Sequence, residues 1–279
     1  ELMRAIAAEV DKQAGEKLEI ETSMQVDAAK VAEMKSIITD LHDGAPFEES
    51  KKRFDELAKD VDPGEIARME EELIKGGMPV TEVQRLCDLH VGVFKDGLED
   101  TEDAEAPPGH PVHTYMTENE RLSRLADELT SLLSGIEKEP KRLEDEKSNV
   151  AGKLDAIAPF ENHYVRKENQ LFPVIEKHGV TGPSQVMWGV HDELREHFKK
   201  TRANLDAGDA REIVEHGTAF ARGVIEMIYK ENKILFPLAL SHLSVEEWVA
   251  LRRGDDELGY AFDGPAAPWQ PALEDLDRA

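Results

Sequence analysis

The chain of 279 residues has a single cysteine, Cys87, so it can form neither an internal disulfide nor a site built from several thiolates. Positive charge is also scarce. Lys and Arg number 34 against 59 Asp and Glu, a formal net charge of −25. Such a surface repels phosphate backbones and anionic headgroups, which argues against nucleic acid and membrane partners. No apolar run approaches the ~18 residues of a spanning helix, and the opening Glu1-Leu2-Met3-Arg4 lacks the apolar stretch of a signal peptide. A cytoplasmic protein is expected. The first residue is not Met, so the chain reads as a fragment or trimmed form, and a further domain at either end stays open. With 40% apolar residues it is too hydrophobic to be disordered.

Alternation of apolar and polar residues is rare, whereas apolar positions three and four apart recur throughout, which predicts an all-α protein. Gly44 and Pro46, then Asp62 to Glu65, then Gly76, Gly77 and Pro79 divide about residues 27 to 97 into four short helical patterns. Asp62, Pro63 and Glu65 read as an N-cap, first helical residue and capping-box partner. Residues 98–109 are acidic and end in two prolines and a glycine, the composition of a linker. The expected division is therefore a small helical domain over 1–97, a linker over 98–109, a bundle over 110–243 and a short helix and tail over 244–279. Four longer patterns, about 111–134, 140–177, 184–206 and 210–240, predict an up-down-up-down four-helix bundle. From about Gly254 the tail is expected to be partly disordered.

Chemistry concentrates in a repeated string: Lys167-Glu168-Asn169 before Leu171-Phe172-Pro173, and Lys230-Glu231-Asn232 before Leu235-Phe236-Pro237. Glu118-Asn119 is a third such pair. Glu118, Glu168 and Glu231 each fall on the apolar stripe of their helix, so each needs a hydrogen-bonding, ionic or metal partner. His163 precedes Glu168 by five residues, His113 precedes Glu118 by five, and His191 shares the apolar stripe of the third helix. At about 100° per residue, a step of five leaves two side chains about 140° apart, so a shared site requires the glutamate to wrap around or the helix to distort. His110 and His113 compete for one role. Antiparallel helices place the histidines on both sides of the glutamate layer, which suits two metals. Imidazole and carboxylate without thiolate favours iron or manganese, with zinc as an alternative. Salt bridges to Lys and Arg are the competing explanation for the glutamates. His197 and His216 read as surface or structural residues, and Cys87 with His90 as a helical face.

These strings resemble the hemerythrin-like, HHE cation-binding domain over about His110 to Leu243, most specifically in Gly109-His110-Pro111-Val112, His163 to Pro173 and Glu231 to Pro237. The Glu82 to His90 string resembles a domain of unknown function that often precedes such bundles in anaerobic prokaryotes. The resemblance implies two non-haem iron ions, with metal ligands drawn from His110, His113, Glu118, His163, Glu168, His191 and Glu231. It also implies binding or sensing of oxygen, nitric oxide or peroxide, and the extra domain points to a protein signalling partner. A di-iron oxidoreductase, reducing peroxide or oxygen or oxidising ferrous iron, and a metal-free interaction module are the alternatives. The chain departs from the family at Glu226, Glu118-Asn119 and Arg195, where histidines are usual. The site is thus richer in carboxylate, which weighs against reversible oxygen carriage.

Overall fold

The computed structural model describes residues 28–57, 71–80 and 104–269, together with residues 68, 83 and 271. The readings made before residue 27, at Asp62 to Glu65, at Cys87 and His90, over residues 98–103 and beyond 271 lie outside the described residues. Among the described residues every regular element is helical. Helix α1 (Ala28–His42) and helix α2 (Phe47–Leu57) are tied together by Arg53, which donates to Asp40 at 2.5 Å and Glu33 at 2.8 Å. No helix among these residues is long and apolar enough to cross a membrane.

The bundle opens at helix α3 (Pro111–Lys138), and its second pole is segmented into α4 (Leu143–Ile157), α5 (Phe160–Arg166) and α6 (Phe172–Lys177). Helix α7 (Gly182–Ala207) forms the third pole. The fourth is α8 (Ala210–Lys230) continued by α9 (Phe236–His242), so the expected up-down-up-down arrangement is present. Helix α8 packs between α3 and α7. The reason is visible in its sequence: Ile213, Gly217, Phe220, Ala221, Val224 and Met227 recur at helical spacing and are all buried. Burying each larger member contributes roughly 1.5–3 kcal/mol. Gly217 lies so close to Leu133 that an added Cβ would meet it at 2.7 Å, which explains a small residue in the middle of that stripe.

Local signals fix the ends. Asp209 accepts from the Arg211 and Glu212 N–H groups at the start of α8, and Gly208 turns left-handed to end α7. Helix α10 (Val245–Leu258) opens on a reciprocal capping box between Ser244 and Glu247.

Two short π-helical turns interrupt the second and fourth poles, at Lys167–Leu171 and Glu231–Leu235. Each is followed by Phe-Pro. A proline lacks the N–H for an α-helical bond, and its ring clashes with the carbonyl four residues back. Widening the turn relieves that clash, and Phe172 and Phe236 instead donate to the carbonyls of Lys167 and Glu231, five residues back. The tail differs from expectation. Gly254 lies inside α10, and the chain through Trp269 packs onto the bundle, because Asp255, Ala261 and Trp269 find partners there.

Candidate metal centre

The two π-helical turns face each other across the core, with α3 and α7 completing the layer. The distortion required by a histidine and glutamate five residues apart is thus present, as the turn that carries Glu168 round. His163 is fully buried and touched on both ring nitrogens, Nδ1 by Glu118 Oε2 at 2.7 Å and Nε2 by Glu231 Oε2 at 3.0 Å. His191, also fully buried, faces Glu168 Oε1 through Nδ1 at 2.7 Å. Its Nε2 faces the Lys167 ammonium at 3.0 Å, and that ammonium contacts the Glu231 carboxylate directly. Tyr164 stacks on His191 with centroids 4.0 Å apart, fixing the ring plane.

The remaining oxygens are taken by arginines. Arg166 donates to Glu118 Oε1 at 2.7 Å and to Asp255 Oδ2 at 3.1 Å, and Arg195 donates to Glu168 Oε2 at 2.9 Å. The Ala261 N–H also donates to Glu118. Asn119 donates to Glu231 Oε2 at 2.8 Å, while its own buried amide oxygen has no hydrogen-bond partner.

The electrostatics follow from this arrangement. Burial alone would push the Glu231 carboxyl up, but Lys167 and His163 outweigh it and hold it at about 2. Burial likewise works against an ionised Glu118, and the His163 contact and Arg166 bring it below the usual range. Glu168 sits above that range because burial outweighs Arg195. Burial, with Lys167 and Arg195 near, lowers His191 well below its ordinary value. A neutral His191 then donates from Nδ1 to Glu168 and accepts at Nε2 from Lys167, the tautomer its partners require.

Of the seven residues expected as ligands, Glu118, His163, Glu168, His191 and Glu231 meet in this layer. His110 and His113 do not. His110 caps α3, its Nδ1 accepting from the Val112 N–H at 3.1 Å, and its ring lies against Trp248 and Trp269 at 4.6 and 4.7 Å. His113 lines a separate surface pocket with Ala104, Pro107, Met116 and Glu120. Sequence reasoning missed Arg166, Lys167 and Asp255 as members of the layer. Two adjacent cations immediately before Glu168, on a helix whose face must be buried, were the available signal.

Residues 110–239 match the family described as "Hemerythrin HHE cation binding domain". This segment is a hemerythrin HHE cation-binding domain. Residues 34–100 match DUF438, a family of unknown function, in the order the resemblance suggested. No curated protein matches the chain. The hemerythrin match implies a metal cofactor, and the donors present, two imidazoles and three carboxylates, are of the kind that binds iron or manganese. As placed, however, no three of the His, Cys, Asp or Glu side chains among the described residues form a metal cage. Counted with neutral imidazoles, Glu118, Glu168, Glu231 and Asp255 outnumber Arg166, Lys167 and Arg195 by one charge. A pair of divalent ions would add four positive charges to that buried balance. His163 Nε2 faces the Glu231 carboxylate, His191 Nε2 faces the Lys167 ammonium that itself contacts Glu231, and the buried Asn119 oxygen has no hydrogen-bond partner.

Proposed function

We propose that the hemerythrin-like domain holds one non-haem iron ion through His163, His191 and Glu231, and that it binds or senses oxygen, nitric oxide or peroxide on behalf of a protein partner. The reading is carried by one observation: each histidine is fixed through Nδ1 by a glutamate, Glu118 or Glu168, which turns its Nε2 inward. Carboxylates in that position orient ligating imidazoles and raise their basicity. Two histidines and one carboxylate are the donor set of mononuclear iron sites with open positions, at which a bound iron supplies a place for a diatomic ligand or peroxide.

The chain's own residues supply the rest. Tyr164 and Phe172 flank His191, and Tyr115 meets His163 edge-on at 5.1 Å, so aromatic walls exclude water. Arg166 and Arg195 keep Glu118 and Glu168 anchored while those carboxylates hold the histidine protons.

Elemental analysis of the full chain, produced with iron and handled without oxygen, tests this reading. About one iron per chain is expected, lost in His191→Ala and Glu231→Gln. Two irons per chain would restore the dinuclear expectation. A second reading, a metal-free interaction module, is favoured by the ion pair that each carboxylate of the layer makes with Arg166, Lys167 or Arg195. It predicts no metal uptake and a melting temperature indifferent to chelator.

A further inference from the structure

We propose that Lys167 is a built-in counter-ion for this layer, whose ammonium group and a metal ion occupy the same place in turn. The proposal deepens the single-ion reading and rests on it. Lys167 is fully buried, its ammonium in contact with the Glu231 carboxylate and 3.0 Å from His191 Nε2. Two of the three donors assigned to an ion are therefore already turned toward a cation, and that cation belongs to the chain. Its Nζ also lies 4.3 Å from the centre of the Tyr164 ring, a face that attracts positive charge.

Charge decides between coexistence and exchange. With an ion on both Nε2 atoms the two imidazoles are neutral, and the layer's own side chains then carry one surplus negative charge. Adding a divalent ion while the ammonium stays leaves a buried positive charge, whereas replacing the ammonium by the ion leaves the layer neutral. An uncompensated charge in a site closed to water is the costlier state, so exchange is preferred. Arg166 and Arg195 cannot serve in place of Lys167. Arg166 is committed to Glu118 and Asp255, and Arg195 to Glu168 and Glu161, whereas Lys167 is the one placed against Glu231 and His191. A lysine is suited to exchange, because its head group is a compact point charge on a flexible stem, where arginine is a rigid fork.

Two consequences separate this role from that of an ordinary buried ion pair. The metal-free bundle is held closed by Lys167, and the same residue weakens metal binding. Calorimetric titration of the full chain with Mn²⁺ alone, and melting with and without Mn²⁺, read both. In Lys167→Met the metal-free melting temperature should fall, Mn²⁺ affinity should rise about tenfold or more, and Mn²⁺ should restore the melting temperature. Lys167→Arg, which keeps a cation beside Glu231, is the second variant and should bind Mn²⁺ no more tightly than the parent. Equal Mn²⁺ affinity in the parent, Lys167→Met and Lys167→Arg overturns the exchange and leaves the single-ion reading standing. Absence of Mn²⁺ binding from all three overturns both. Should Lys167→Met not fold, tighter binding by Lys167→Arg than by the parent overturns the exchange by itself.

Discussion

Arg166 and Asp255 lie 89 positions apart in the chain and 3.1 Å apart in the fold, and both are buried. The pair fastens α10 to the second pole of the bundle. Gln170 reinforces it, donating to the other Asp255 oxygen at 3.0 Å. Helix α10 is therefore part of the domain's charge layer, although it follows the segment that matches the hemerythrin family.

Removing Asp255 should show this. Asp255→Ala leaves the Arg166 guanidinium with Glu118 as its one remaining carboxylate in a site closed to water, and a loss of about 3 kcal/mol is expected in denaturant unfolding. A loss under about 0.5 kcal/mol would mean that the helix is fastened by its apolar contacts instead.

Acid should loosen the other attachment of the tail. Burial between Trp248 and Trp269, with His113 nearby, lowers His110 to about 4. The unfolded chain therefore takes up this proton first as pH falls, from the usual value near 6.5. The stability from the neutral ring is fully present above that value and declines as pH drops from about 6.5 toward 4. Melting curves of His110→Asn against the parent over this range should converge on lowering the pH, since asparagine can cap the helix without titrating. Parallel curves would contradict the assignment.

The entry to α3 is equally tight. Gly109 has φ +89°, and a Cβ there would lie 2.3 Å from the Ala267 carbonyl oxygen and 2.9 Å from the Pro268 carbonyl carbon. Both the backbone conformation and the backbone contact oppose any side chain. Gly109→Ala should lower stability by about 2 kcal/mol or more and raise proteolytic cleavage near residue 267, which limited digestion would detect.

Glu168→Gln tests the role of the carboxylate behind His191. The amide keeps the shape but can offer its NH₂ to His191 Nδ1 and so favour the wrong tautomer. Iron or Mn²⁺ affinity should fall about 10- to 100-fold, with little change in the far-ultraviolet helical signal. Unchanged affinity would remove Glu168 from that role.

The helices and the five core His and Glu residues were legible in the sequence because each depends on local periodicity. The role of Lys167 was not, and the repeated string shows why. Matching Lys167-Glu168-Asn169 with Lys230-Glu231-Asn232 makes the two glutamates equivalent. Matching the two Phe-Pro pairs slips the comparison by one residue and makes Lys167 the counterpart of Glu231. The backbone follows the prolines, since the π-helical turns begin at Lys167 and at Glu231. Opposite charges thus stand at equivalent positions and meet across the core. His110 misled for a related reason: its side chain satisfies a local N–H, a task that spacing to a distant glutamate cannot reveal.

The polar contacts of the layer also join end to end. They run from the Ala261 N–H through Glu118, His163, Glu231, Lys167, His191 and Glu168 to Arg195 and the half-exposed Glu161. Neighbouring links in such a row polarise one another. Side chains alone therefore connect the half-exposed Glu161 to the backbone N–H of Ala261, across 100 positions of the chain.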